Sequence, residues 1–451
     1  MTMAEEMAEF VTEATFRDIS TEALEQLKIR TLDALGCAIG AYGENTPNLV
    51  RKVETLFGGH GYCTLIGGGR TSPDRAAFVN GAFVRYLDFN DSFLAPGETC
   101  HPSDNVAPVL AASEFADSSG ENYLVSLALA YQVQCRLSEV APVRSKGFDH
   151  TTQGAYAVAA GVSKALGLNK SATANALAIS GAALNALRVT RTGKLSNWKG
   201  LAYPFVSLAA THAAFLAKEG ITGPLEVFEG NKGFMDSISG RFAIDWKKED
   251  LELVKRTILK KYNSEVHSQS AVECLLGLKS RYSLQADQIK KIEVKIFDVA
   301  YKIIGGGEEG EKMSVSTKEE ADHSLPYILA VALIDGEVTP AQYRKERIVA
   351  NDVQTLLRKI RISPDVELSS KFPNAMPCEI TVELNDGKVV EEKVDDYEGF
   401  LTRPMGWGLA IKKFERLSAS IRPERSRKIV NIVRNLEHLR IRELTKELGG
   451  F

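Results

Sequence analysis

Apolar residues recur every three to four positions along nearly all of the first 260 or so residues, the spacing of helices that each bury one face. Ser20 and Thr21 offer an N-cap to a helix over 21–43, and a shorter helix fits 47–57. Residues 62–67 form a brief apolar stretch ending in glycine, which suits a turn or a very short strand. Ser72-Pro73 opens a further helix, with Phe78, Phe83 and Leu87 on its apolar face and an end near Asp88. Four more helices are expected over 121–140, 151–166, 171–187 and 200–218, punctuated by Gly147, Gly167, Asn169, Gly193 and Gly220. Small residues crowd these segments, as in ALAISGAALNAL (176–187), and small residues let helix axes approach closely.

The pattern changes near residue 288. IKKIEVKIF (289–297) alternates apolar and polar positions with β-branched residues, and CEITVELNDGKVVEEKV (378–394) reads as a hairpin turning at Asn385-Asp386-Gly387. Helical segments around 322–335 and 351–359 lie between them, so this region is a small α+β unit. Helical spacing returns from about residue 406 through WGLAIKKFERL, RKIVNIVRNLEHL and IRELTKEL. The expectation is a mainly α protein: a large all-helical domain built from residues 1–262 and 399–451, with a smaller α+β unit, 263–398, inserted between them.

Composition narrows the function classes. Net charge is −3, and the basic end, 416–446, reads as the solvated side of terminal helices, so no nucleic-acid partner is expected. The longest apolar runs are broken by Gln132 and Gln134 or by Thr211 and His212, so no membrane partner is expected either. The acidic start MTMAEEMAEF lacks the order of a signal peptide, which points to the cytoplasm. Six scattered cysteines without a C-x-x-C pair read as reduced core or turn residues and give no local zinc or iron–sulfur motif. Helices with so little polar surface imply burial against a second copy, most simply in a homodimer.

Candidate chemistry concentrates in residues 80–110, NGAFVRYLDFNDSFLAPGETCHPSDNVAPVL. Asp88, Asp91 and Ser92 close one helix, and His101-Pro102 precedes the next, for which Ser103 or Asp104 is the expected N-cap. The turn between the helices can gather carboxylate, hydroxyl and imidazole around a small ligand. His101 beside the positive end of a helix dipole would favour the neutral ring, which can act as a base. An Asp-rich turn and a histidine before a helix are also ordinary surface features, so the reading leans on the remaining motifs.

RVTRTGKLSNWKG (188–200) is a cationic loop leading into an apolar helix, with Arg191 in the loop and Lys199 beside Trp198 at the helix start, placed to face an anion. KKYNSEVHSQSAVE (260–273) sets His267 near a helix opening with Lys260, Lys261 and Glu265 close by. EADHSLPYILA (320–330) carries Asp322, His323 and Tyr327 before an apolar helix, although Tyr327 also suits core packing. His150 in GFDHTTQGAYA is another helix-start histidine. With His101, His150, His267 and His323 all at predicted helix starts, a pocket where helix N-termini converge would suit carboxylate ligands.

Taken together, LDFND-S followed by HPS, RTGKLSNWKG, HSQSAVE and DHSLPY resemble the MmgE/PrpD family over nearly the whole chain. SNWKG, HSQSAVE and DHSLPY most resemble its members that dehydrate 2-methylcitrate. The resemblance implies a helical domain with an inserted lid domain, a homodimer, and an active site between the domains. It implies Asp88, His101, Lys199 and His267 as catalytic residues, and Ser92, His150, Arg191 and Tyr327 as substrate-binding ones. Ser92 stands where decarboxylases of the family commonly carry Thr, and FLAPGETC (93–100) is longer than their segment, which counts against decarboxylation.

The implied activity is a hydro-lyase reaction without metal or other cofactor: water leaves 2-methylcitrate to give 2-methyl-cis-aconitate, as in propionate catabolism through the methylcitrate cycle. Citrate is a further candidate substrate. One group must take the proton beside a carboxylate and another must protonate the departing hydroxide. His101, with Asp88 fixing its tautomer, and His267 fit these parts in either order; Lys199 would stabilise the enediolate-like carboxylate and Arg191 would hold a remote one. The alternatives are decarboxylation of cis-aconitate, epimerisation beside a carboxylate, or binding of a tricarboxylate without turnover.

Overall fold

The computed structural model describes residues Met1–Phe451 and is mainly α-helical. It divides into two compact units. One comprises Met1–Thr190, Gly200–Thr257 and Gly406–Phe451, the other Arg191–Lys199 and Ile258–Met405. The loop carrying Arg191 and Lys199 thus groups with the second unit.

In the first unit, Ser20 caps the Thr21–Gly40 helix by accepting from the Ala23 N–H, and nearly every residue from Leu27 to Ile39 is buried. Its neighbour is the Trp407–Leu417 helix from the far end of the chain. A Cβ on Gly36 would stand 3.1 Å from the Phe414 ring, so glycine permits this approach. Gly161 does the same where the Val106–Phe115, Gly120–Val140 and Thr151–Ala165 helices converge: a Cβ there would meet Val109 at 2.8 Å and the Ser126 carbonyl at 2.9 Å. Small residues are therefore what lets this bundle close, as its sequence suggests.

In the second unit, a four-stranded sheet runs Ile360–Pro364, Ile289–Ile296, Cys378–Leu384, Val389–Val394 in spatial order. The first two strands are parallel and the other pairings antiparallel. Ile289, Ile292, Val294 and Ile296 are buried while Lys290, Lys295 and Glu293 face solvent, the alternation of a sheet covered on one side. The Gln269–Tyr282 and Leu325–Asp335 helices form that cover.

Several elements differ from expectation. Residues 88–101 are not a plain turn: Ser92–Ala95 and Glu98–Cys100 form an antiparallel hairpin pairing Phe93 with Cys100. Ser103 and Asp104 do not cap the next helix but lie in a 3-10 turn, Pro102–Asn105, because the Ser103 N–H is turned back onto Asp91. The helix expected over 171–187 ends at Ala183, and that expected over 322–335 begins at Leu325, capped by Ser324. The Trp198–Lys218 helix is long and apolar enough by composition to cross a membrane despite Thr211 and His212, although 56% of that stretch is buried within the protein. All six cysteines are unpaired and buried.

Candidate active site

The hairpin register builds the first cluster. Phe93 opposite Cys100 puts Ser92 opposite His101, and the Ser92 Oγ lies 3.1 Å from His101 Nδ1. The Asp91 carbonyl lies 2.8 Å from the same nitrogen. A carbonyl can only accept, so Nδ1 carries the hydrogen and Nε2 is the acceptor nitrogen of the neutral ring. The tautomer-fixing part expected of Asp88 is thus filled at Nδ1 by the Asp91 carbonyl, with Ser92 orienting the ring beside it. His101 is 8% exposed, so its environment is largely dry.

Asp91 is held on all sides. One carboxylate oxygen accepts from the Ser103 N–H at 3.0 Å and the other from the Tyr131 hydroxyl at 2.8 Å. Burial raises its carboxyl above the ordinary range, against the lowering effect of those bonds and of Arg30. Asp88 has a positive φ of 51°, an uncommon conformation outside glycine, and its carboxylate pairs with Arg85 at 2.7 Å. Arg85 also donates to Asn90 Oδ1 at 3.2 Å, and Asn90 donates to Ser103 and Asp104. His150 sits at the N-cap of the Thr151–Ala165 helix, its ring edge-on to His101 at 5.4 Å and stacked on Tyr203 at 6.1 Å.

The second cluster lies in the smaller unit. His267 is 1% exposed, in the 3-10 turn before the Gln269–Tyr282 helix, packed against the stacked rings of Phe297 and Phe372. Its Nδ1 lies 2.7 Å from Glu265 Oε1, its backbone N–H donates to Oε2 at 2.8 Å, and its buried Nε2 has no hydrogen-bond partner. Burial alone would raise the Glu265 carboxyl; His267, His323 and Lys260 instead bring it down to about 2. Glu265 is therefore an ionised acceptor, which leaves Nε2 as the nitrogen able to exchange a proton with a ligand.

Lys199 lies in the first turn of the Trp198–Lys218 helix, 4% exposed. Its ammonium donates to Asp322 Oδ1 at 2.9 Å and stands 2.9 Å from His323 Nδ1, itself 2.6 Å from Asp322 Oδ1. Lys318 takes the other Asp322 oxygen at 2.7 Å. Burial opposes ionisation of Asp322, but Lys199, Lys318 and His323 hold its carboxyl well below the usual range. The Glu265 N–H donates to the Asp322 carbonyl at 3.2 Å, joining the two halves of this cluster. Arg191 is buried, with its guanidinium 3.5 Å from the Lys199 carbonyl.

Tyr327 falls in the core: it is fully buried, and its hydroxyl donates to the Gln342 carbonyl. That bond ties the phenol to the backbone, so the packing reading describes it better than the substrate-binding one. The structure thus brings Asp88, Ser92, His101 and His150 together in one unit and Arg191, Lys199 and His267 in the other. Arg85 was not foreseen, although its position three residues before Asp88 on a helix is the signal that could have found it. Lys312 was not foreseen either; burial lowers its ammonium, with Glu309, Glu265 and Asp322 opposing and Lys199 assisting.

His101 and His267, both buried and each held at Nδ1 by an acceptor, beside buried cations on a helical scaffold, are the kinds of group that acid–base chemistry on an anionic ligand requires. The MmgE/PrpD N-terminal domain matches residues 5–247 and the MmgE/PrpD C-terminal domain residues 262–438. The chain belongs to the MmgE/PrpD family. It is 26% identical to the cis-aconitate decarboxylase of Mus musculus, over 92% of this chain and 87% of that protein. It is 27% identical to the 2-methylcitrate dehydratase of Escherichia coli K12, over 81% and 79% of the two chains. A probable 2-methylcitrate dehydratase of Saccharomyces cerevisiae is also 27% identical, over 91% and 84%.

Proposed function

We propose that this protein eliminates water from 2-methylcitrate to give 2-methyl-cis-aconitate, using side chains as its acid and base. The observation that carries the reading is the unequal support of two histidines. His101 Nδ1 is held by a neutral carbonyl, and His267 Nδ1 by an ionised carboxylate. A carbonyl orients a neutral ring for proton abstraction at Nε2. A carboxylate can balance the charge of a ring that carries a second proton at Nε2 and gives it up.

In this scheme His101 takes the proton from the carbon beside a carboxylate. The electron pair moves into an enediolate-like carboxylate, which Lys199 stabilises. It then returns to form the carbon–carbon double bond as the hydroxyl leaves, protonated by His267, as water. Arg191 holds a remote carboxylate, His150 packs the base, and Ser92 and the Asp91 carbonyl aim it. The family's dehydratase relatives support the reaction.

A second reading, decarboxylation of cis-aconitate, draws on the likeness to the mouse decarboxylase over 92% of the chain. It needs a proton donor to carbon where the first reading needs a proton acceptor. The deciding experiment mixes purified protein and synthetic 2-methylcitrate with a chelator present and follows ultraviolet absorbance. A rising signal of the conjugated alkene supports the dehydratase. Carbon dioxide release from cis-aconitate, with no absorbance change from 2-methylcitrate, supports the second reading.

A further inference from the structure

We infer that Lys413 is a positioning residue for the turn that carries Asp88 and aims His101, an inference that rests on the acid–base reading above. Lys413 lies on the Trp407–Leu417 helix and is 9% exposed. Its ammonium donates to the Phe89 carbonyl at 2.7 Å, pairs with Asp33 Oδ1 at 2.7 Å, and stands 3.7 Å from the centroid of the Phe89 ring. Asp33, on the Thr21–Gly40 helix, is 2% exposed. A charge pair from opposite ends of the chain is thus buried against Phe89, the one residue between Asp88 and Asn90.

The placement matters because of what flanks that residue. Asp88 on one side sits at a positive φ of 51°, in the left-handed region. On the other side, two residues on, the Asp91 carbonyl holds His101 Nδ1. Arg85 fixes the side chains of Asp88 and Asn90, but the backbone between them is held by the Lys413 ammonium. The Asp91 carboxylate is anchored by Ser103 and Tyr131, but its carbonyl is aimed by the backbone that enters it, so rotation of the Phe89 carbonyl loosens the hold on His101 Nδ1 and the tautomer is no longer imposed. Burying an ion pair is in general no better for stability than burying well-packed apolar groups. What an apolar pair cannot supply here is a hydrogen-bond donor directed at Phe89. Asp33 keeps that donor in place.

The test compares wild type with the charge-neutral double variant Asp33→Asn/Lys413→Met, measuring thermal midpoint, kcat and KM on the tricarboxylate substrate. The His101 imidazole nitrogens are followed by NMR of 15N-histidine-labelled protein, with the signal assigned through its loss in His101→Ala. The expected result is a folded double variant with kcat down by about 10²-fold, the scale of an ångström-sized misplacement, and KM nearly unchanged. Its His101 signal should show both tautomers where wild type shows Nδ1–H alone. Where the double variant does not fold, Lys413→Arg, which keeps the charge but moves the donor atoms, should give the same kcat loss and mixed signal. Wild-type kcat with a wild-type His101 signal in a folded variant overturns the inference. If wild type turns over no tricarboxylate, the reaction reading fails, and the His101 signal alone decides whether Lys413 positions the ring.

Discussion

Glu265 accepts twice from His267, from Nδ1 at 2.7 Å on one oxygen and from the backbone N–H at 2.8 Å on the other. Ring and backbone of one residue are locked to a single carboxylate, so imidazole rotation is fixed in the same stroke as charge balance. Glu265→Gln keeps the shape and removes the charge. We expect kcat to fall by about 10²-fold, with KM changed far less, because the charge is needed when the ring carries its second proton. Steady-state kinetics on the variant checks this, and a kcat near wild type would remove Glu265 from the proton path.

The same carboxylate gives an acid-stability signature. Its folded value, about 2, lies below the ordinary 4.5, so the native state binds the proton less readily than the unfolded chain. The stabilisation is fully present above pH 4.5 and is lost as the pH falls from there through 2. Its size is on the order of 3 kcal/mol. Urea midpoints at pH 6, 4.5 and 3.5 should fall less steeply for Glu265→Gln than for wild type. Parallel slopes would show that the carboxylate is not held ionised by His267.

Asp322 offers a contrasting case, since it receives two ammonium ions, from Lys199 and Lys318. Asp322→Asn removes the carboxylate that Lys199 and Lys318 share, and taking one partner from a buried ion pair costs about 3 kcal/mol. The double variant Asp322→Asn/Lys199→Met should recover most of the lost stability by urea denaturation while remaining inactive. Recovery of activity along with stability would exclude Lys199 from the site.

These relationships show which parts of the molecule the sequence reveals. Helices were legible because their signals are local: Ser20 caps Ala23, Asn169 caps Ala172, and apolar spacing fills the space between. The hairpin was not, because Ser92, Phe93, Leu94 and Ala95 are all buried, and a strand buried on both faces shows no alternation. The strand Ile360–Pro364 was missed for the opposite reason, having one buried residue on a sheet edge. Among site residues, His101, His267 and Lys199 were legible by type and motif. The Asp91 carbonyl has no side-chain signal, and Asp322 meets Lys199 across 123 residues, which no local pattern encodes.

Assembly is testable on the exposed apolar surface. Phe205 and Leu216, both on the Trp198–Lys218 helix, are 44% and 39% exposed, large apolar side chains that a second copy would cover. Analytical ultracentrifugation should give a dimer for wild type and a monomer for Phe205→Glu/Leu216→Glu. A monomeric wild type would overturn the expected dimer.

The chain passes between its two compact units at residues 190–191, 199–200, 257–258 and 405–406. A lid that closes over substrate must flex at such crossings, because they are where the backbone leaves one packed core for another. Residues 258–268 also hold Lys260, Glu265 and His267, so movement at the 257–258 crossing would shift the segment that carries the proposed acid. Limited proteolysis should therefore slow near 258–268 and 395–405 when the tricarboxylate is present, and His267→Ala should keep the protection if substrate binding rather than turnover drives closure. Equal cleavage with and without substrate would mean that the smaller unit does not close, and the proton donor would then have to come from the cluster around His101 and His150.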